Sequence, residues 1–204
     1  MAIKGKYIVI TADVIKSRDE GNQNYIKNLP RKIKSINKKI KPISGFVVTR
    51  GDEIQGVLMS CPIELAFTIL AETYPLVFRF GIGIGQIDTE IRENPGEMMG
   101  SAFEYARRAL DEIKKKNCYF RIKGDFKEEF IDLINNNLVL MSQILRRWDE
   151  LTFRRFVLYK QLRSITKVAD VERVSPESIN KYINNYSIRQ IIDSIFTIDN
   201  VIIK

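Results

Sequence analysis

Two aspartates stand where carboxylate chemistry would need them. Asp13 closes the β-branched and aromatic run Lys6–Ile15 (KYIVITADVI), and Asp52 lies in TRGDEIQGVL, at the tip of what reads as a tight hairpin. If the two strands are neighbours, both carboxylates reach the same end of a sheet. There they can share divalent cations, the arrangement that activates a hydroxyl and clamps a triphosphate. Glu53 is the third candidate ligand, and Gly51 permits the turn that exposes Asp52. Oxygen-only ligands suit Mg2+ or Mn2+. The plainer reading is that Asp13 caps a turn at Ile15-Lys16-Ser17 and that Gly51-Asp52-Glu53 is an ordinary hairpin tip. The residues alone leave both open.

Composition narrows the alternatives. The 204 residues contain no histidine and two isolated cysteines, Cys61 and Cys118. Ser-His-Asp and Cys-His catalysis and His-ligated zinc or haem are thereby excluded, and the cysteine usage fits a reducing cytoplasm. No apolar run is long enough to span a membrane, and the first residues do not read as a signal peptide. The charge is +8, from 33 basic and 25 acidic residues. It is concentrated in residues 27–41, which carry no acid, and in Arg146–Arg189, with ten basic against five acidic residues. Such regions suit a polyanion, or are simply solvated helix faces.

Three further constellations stand out. Gly81, Gly83 and Gly85 alternate in FRFGIGIGQID. GxGxG is not the dinucleotide-binding fingerprint, but it clears one face of a strand for a close helix or for a ligand's base and ribose. In GSAFEYARRAL, Ser101 and Glu104 have capping-box spacing, and Glu104 and Arg108 share a helix face. They form either a surface ion pair or a polar pair at the mouth of a nucleotide pocket, with Arg108 on phosphate. In SITKVADVERVSPESINKY, Ala169, Val174 and Ile179 have helix-turn-helix spacing, with Ser175 and Pro176 opening the second helix. Ser178, Asn180 and Lys181 would then face a major groove. Arg154, Arg155, Lys160, Arg163 and Lys167 would hold phosphates. A protein-binding helical module has the same pattern.

The elements that must position these residues follow from periodicity. Strands are expected at Lys6–Ile15, within 45–59 as a hairpin with Arg50-Gly51-Asp52-Glu53 at its tip, at Leu76–Asp88 and at Cys118–Ile122. Helices are expected over about 22–40, interrupted or begun at Pro30, from Pro62 to about Tyr74, and over Ser101–Lys116. The order β-α-β-β-α-β-α-β is that of a ferredoxin-like α+β domain, residues 1–124. Residues 125–204 read as all-helical. A long helix over Phe126–Trp148, with some loss of order at Asn135-Asn136-Asn137, connects to three or four short helices over 151–195.

The blocks TADVIKSR, TRGDEIQGVL, FRFGIGIGQIDTEI and GSAFEYARRALDEI, in that order, resemble the SatD family over nearly the whole chain. More distantly, the N-terminal part resembles the palm-type domain of class III nucleotidyl cyclases and of GGDEF proteins. That likeness implies a nucleoside triphosphate or other nucleotide as ligand, Mg2+ or Mn2+ on Asp13 and Asp52, and a homodimer. It places the two transition-state residues of the cyclases on Glu104 and Arg108. Glu104 departs from the usual amide and adds a negative charge where the nucleotide is already anionic. The resulting expectation is a cytoplasmic regulator that binds a nucleotide and metal at one end and DNA at the other. The alternatives are a metal-dependent cyclase or nucleotidyltransferase, and a degenerate scaffold that binds a protein.

Overall fold

The computed structural model describes residues 6–49, 51–115 and 118–203. Strands β1 (Tyr7–Val14), β2 (Ser44–Val48), β3 (Glu53–Leu58), β4 (Phe78–Gly85) and β5 (Phe120–Gly124) form one sheet in the order β2-β3-β1-β4-β5. β1 runs antiparallel to β3 and β4, and β4 and β5 are parallel. The strand–helix order is the one the sequence implies, and the architecture is α+β with a helical region after it.

Strand alternation sorts the two faces of the sheet. Ile8, Ile10, Ala12 and Val14 of β1, with Phe78, Phe80, Ile82 and Ile84 of β4, point into the main core. Helices α2 (Leu29–Ile40) and α3 (Pro62–Thr73) supply further side chains to this core. The opposite face meets α4 (Ser101–Lys115), where Val9, Val57, Ala102, Ala106 and Met98 make a smaller cluster. The basic segment breaks in two. α1 (Glu20–Lys27) ends at Asn28, and Pro30 lies in the first turn of α2, where its missing N–H is harmless. Its cations lie outward; Lys39 pairs with Glu72 at 2.6 Å.

The C-terminal part is α5 (Glu128–Leu145), α6 (Glu150–Leu162), α7 (Ile165–Glu172), α8 (Pro176–Asn185) and α9 (Ile188–Ile203). α5 is unbroken through Asn135-Asn136-Asn137, contrary to the expected loss of order. Asn135 explains this. It is buried against the outer edge of β5, accepting from Ile122 N–H (2.8 Å) and donating to Ile122 C=O (3.0 Å). Ser142, two turns on, accepts from Tyr119 N–H at 3.0 Å. These side chains satisfy backbone groups that an open strand edge would leave bare.

One apolar core continues past residue 124. Phe80 stacks on Phe120, Phe120 on Phe67 of α3, and Phe67 meets Phe156 of α6, with centroids 5.4–5.5 Å apart. Each such pair contributes roughly 0.5–1.5 kcal/mol beyond burial. Among the described residues no helix is long and apolar enough to cross a membrane.

Candidate functional site

Register brings three charged side chains into a row at one end of the sheet. Asp13 lies opposite Glu53 on β3 and opposite Arg79 on β4. Alternation points them to the α4 side, and α4 lays Arg107 and Lys114 over them. Arg107 donates from both Nη atoms to the two carboxylate oxygens of Glu53, each at 2.7 Å. Lys114 Nζ is 3.3 Å and Arg79 Nη1 3.8 Å from Asp13 Oδ2.

Asp13 is the unusual member. Its side chain is 14% exposed. Oδ1 is buried and makes no hydrogen bond among the described residues. Buried polar atoms are rarely left unpaired, and each costs about 1–3 kcal/mol when they are. Burial pushes the carboxyl above the ordinary aspartate value; Lys114 and Arg79 pull it down, and the charge of Asp52 adds to the rise.

Asp52 reaches this end through the hairpin. Val14 N–H donates to its carbonyl at 3.2 Å, which holds the hairpin tip against the end of β1. Gly51 has φ +74°, the left-handed conformation that the turn requires of it. Arg50, also assigned to the tip, lies outside the described residues. The Asp52 side chain lines a surface hollow of about 360 Å3 with Ser17, Arg18 and Gln23. The orphaned Oδ1 of Asp13 is a hard oxygen donor that fits Mg2+ or Mn2+; the Asp52 carboxylate, of the same donor type, lines the hollow beside Ser17 and Arg18, which does not include Asp13. Glu53, the expected third ligand, has both oxygens engaged by Arg107 instead.

The other assigned residues distribute differently. A Cβ on Gly81 would lie 2.2 Å from the carbonyl of Ala106, one on Gly83 2.0 Å from that of Ala102, and one on Gly85 2.5 Å from Ser101 Oγ. α4 therefore occupies the face these glycines clear, and the ligand-binding assignment of Gly81, Gly83 and Gly85 is corrected to close helix packing. The capping box is also absent: Ser101 Oγ accepts from Gln86 N–H at 2.9 Å. Glu104 and Arg108 form an exposed pair at 3.5 Å. Arg108 borders Tyr105, Lys123 and Phe126 rather than Asp13. The arginine over the carboxylates is Arg107. One residue along a helix is a rotation of about 100°, so choosing between adjacent arginines required knowing which face of α4 meets β1 and β3.

In the helical part, Ser175 caps α8 by accepting from Ser178 N–H at 3.2 Å. Arg173, at the turn position often held by glycine, adopts φ +56°. Ala169 and Ile179 are buried, while Val174 is 39% exposed and so adds little to the packing of the turn. Ser178, Asn180, Lys181 and Lys167 are exposed. Arg155 is corrected as a phosphate contact: it is buried, bonded to Glu172 at 2.6 Å and stacked 4.1 Å over the Tyr182 ring. Arg154 bonds the same Glu172 at 2.8 Å, and Lys160 pairs with Glu64 at 2.6 Å.

The SatD family model matches residues 7–194. No curated protein sequence matches at a significant level. A solved structure of a bacterial light-regulated adenylyl cyclase is similar at 10% identity, with a TM-score of 0.41, over 57% of this chain and 74% of that one. That is a distant, cyclase-like resemblance and carries no functional argument.

Proposed function

This chain belongs to the SatD family, and we propose that it is a regulatory protein that binds a nucleotide through a divalent cation held by Asp13 and Asp52. The observation that carries the reading is the buried, unpartnered Oδ1 of Asp13 at the end of the sheet where the Val14 N–H holds the Asp52 backbone. A divalent cation there would satisfy that atom, and Arg79, Lys114 and Arg18 supply positive charge nearby for phosphate. In the same reading the exposed face of α8, with Ser178, Asn180 and Lys181, contacts DNA, and α5 joins the two ends.

The test is a melting-temperature series with nucleoside triphosphates and cyclic dinucleotides, with and without Mg2+ or Mn2+, on wild type, Asp13→Asn and Asp52→Asn. Ligand at 100 times its Kd adds about 2.7 kcal/mol, several degrees of melting temperature. A metal-dependent rise that Asp52→Asn abolishes supports the reading. Turnover of the bound triphosphate, lost in the same variant, would instead make the protein a metal-dependent nucleotidyltransferase or cyclase. No rise with any ligand overturns nucleotide binding and leaves the scaffold reading. DNA binding is tested separately: affinity must fall steeply with salt and weaken in Lys181→Ala.

A further inference from the structure

The outward stripe of α5 points to a second copy of this chain as its partner. Leu133 and Leu140 are 71% and 66% exposed. They are seven residues apart, so they sit on one line of the helix, about 10 Å apart along its axis. Together they make a short apolar stripe along the outer face of the helix. Glu129 lies on the same line one turn before the pair, and Arg147 lies two turns after it, just past the helix end. Both are exposed, and neither makes an ion pair among the described residues. Arg147 lies over the Tyr186 ring at 6.0 Å, a cation–π contact that leaves its charge without a carboxylate partner among the described residues.

This layout complements itself when reversed. The midpoint of Leu133 and Leu140 and the midpoint of Glu129 and Arg147 fall within about 2 Å of each other along the helix axis. A two-fold axis there sets α5 antiparallel to α5 of the second copy. Leu133 of one copy then lies against Leu140 of the other, and Glu129 comes within about 4.5 Å along the axis of Arg147, inside the reach of the two long side chains, twice each. The asparagines Asn136 and Asn137 fall at the axis. Self-complementary surfaces of this kind close as two-fold dimers. The opposite face of α5 is already committed to β5 through Asn135 and Ser142, so the stripe is presented by a helix fixed in place. We propose that the protein forms an isologous dimer through antiparallel α5 helices.

Sedimentation equilibrium of the full chain tests this. The expected result is a concentration-dependent dimer. Leu140→Lys, Glu129→Arg and Arg147→Glu should each shift it toward monomer by tenfold or more; Leu140→Lys should do so with the monomer's melting curve unchanged, whereas Glu129→Arg also lowers it slightly by placing a cation in the first turn of α5. Glu129→Arg combined with Arg147→Glu should restore the dimer, because the reversed charges again face each other. A chain that is monomeric at all concentrations overturns the proposal. So does a dimer indifferent to Leu140→Lys, or a double variant that fails to recover. None of these results depends on nucleotide or metal.

Discussion

Asp199 of α9 holds the start of α3: its two carboxylate oxygens accept from Ile63 N–H and Glu64 N–H, each at 2.9 Å. Cys61, at the N-cap of α3, offers no side-chain cap. A helix almost 140 residues downstream therefore satisfies the first donors of a helix in the α+β part, and a negative charge sits at the positive end of that helix. The C-terminal helix is in this way a component of the N-terminal fold.

Asp199 makes stability depend on pH. Burial lifts its pKa from 3.8 to about 6, with the two backbone donors opposing the rise. The folded chain then holds this proton more tightly than the unfolded chain. The contribution is full below the unfolded value and is lost as pH rises through about 6, a change on the order of 3 kcal/mol. Asp199→Asn removes that dependence and turns an amide N–H toward one of the two donors, which costs about 1–3 kcal/mol. In urea titrations the gap between wild type and variant should be widest near pH 4 and narrow toward pH 7. A gap that widens with pH would refute the assignment.

Gly83→Ala should be among the most damaging small changes. Its methyl meets the Ala102 carbonyl at 2.0 Å and the Ala106 nitrogen at 2.3 Å, both backbone atoms. α4 would have to lift from β4, at a loss of roughly 1–3 kcal/mol or more. Gly21→Ala, in open space on α1, should instead be neutral or stabilise by about 0.4–1 kcal/mol. Thermal melts of the pair separate a packing constraint from a generic glycine effect.

Adjacent arginines on α4 should behave differently. Arg107→Ala strips two hydrogen bonds from the buried Glu53 and is expected to lower stability by about 1–3 kcal/mol. Arg108→Ala removes only an exposed i,i+4 pair, worth roughly 0.3–0.5 kcal/mol. Equal losses in denaturation experiments would contradict the site geometry.

Asn135→Leu deletes both bonds to Ile122. A loss of about 1–3 kcal/mol is expected for each backbone group left bare. Hydrogen exchange at the Ile122 amide should accelerate well beyond that of other β5 amides.

Much of this was legible in the residues. The alternation in KYIVITADVI and FRFGIGIG marks two central strands, and it also fixes which side chains share the α4 face. Pro30, Pro62 and Pro176 all mark first turns of helices, because a missing N–H is tolerated only there. What was not legible came from contacts distant in sequence. Glu53 reads as a metal ligand until Arg107, over fifty residues on, is seen to hold it. The glycine stripe fits a close helix or a ligand until α4 is placed. Asn135 reads as a helix breaker, since asparagine competes for backbone hydrogen bonds; here the competing backbone belongs to β5. Arg155 looks like a surface cation in a basic stretch, yet Glu172 and Tyr182 bury it.

The bonds from Asn135 and Ser142 to the edge of β5 also bear on biosynthesis. A nascent chain that has left the ribosome only as far as Gly124 carries β5 without the groups that close its outer side. Until residues 135 and 142 follow, Ile122 and Tyr119 offer backbone donors and acceptors to any strand nearby, including one on a neighbouring ribosome of the same message. That exposure ends only when α5 has emerged and folded against β5, because its two bonding side chains, Asn135 and Ser142, lie beyond the strand in sequence.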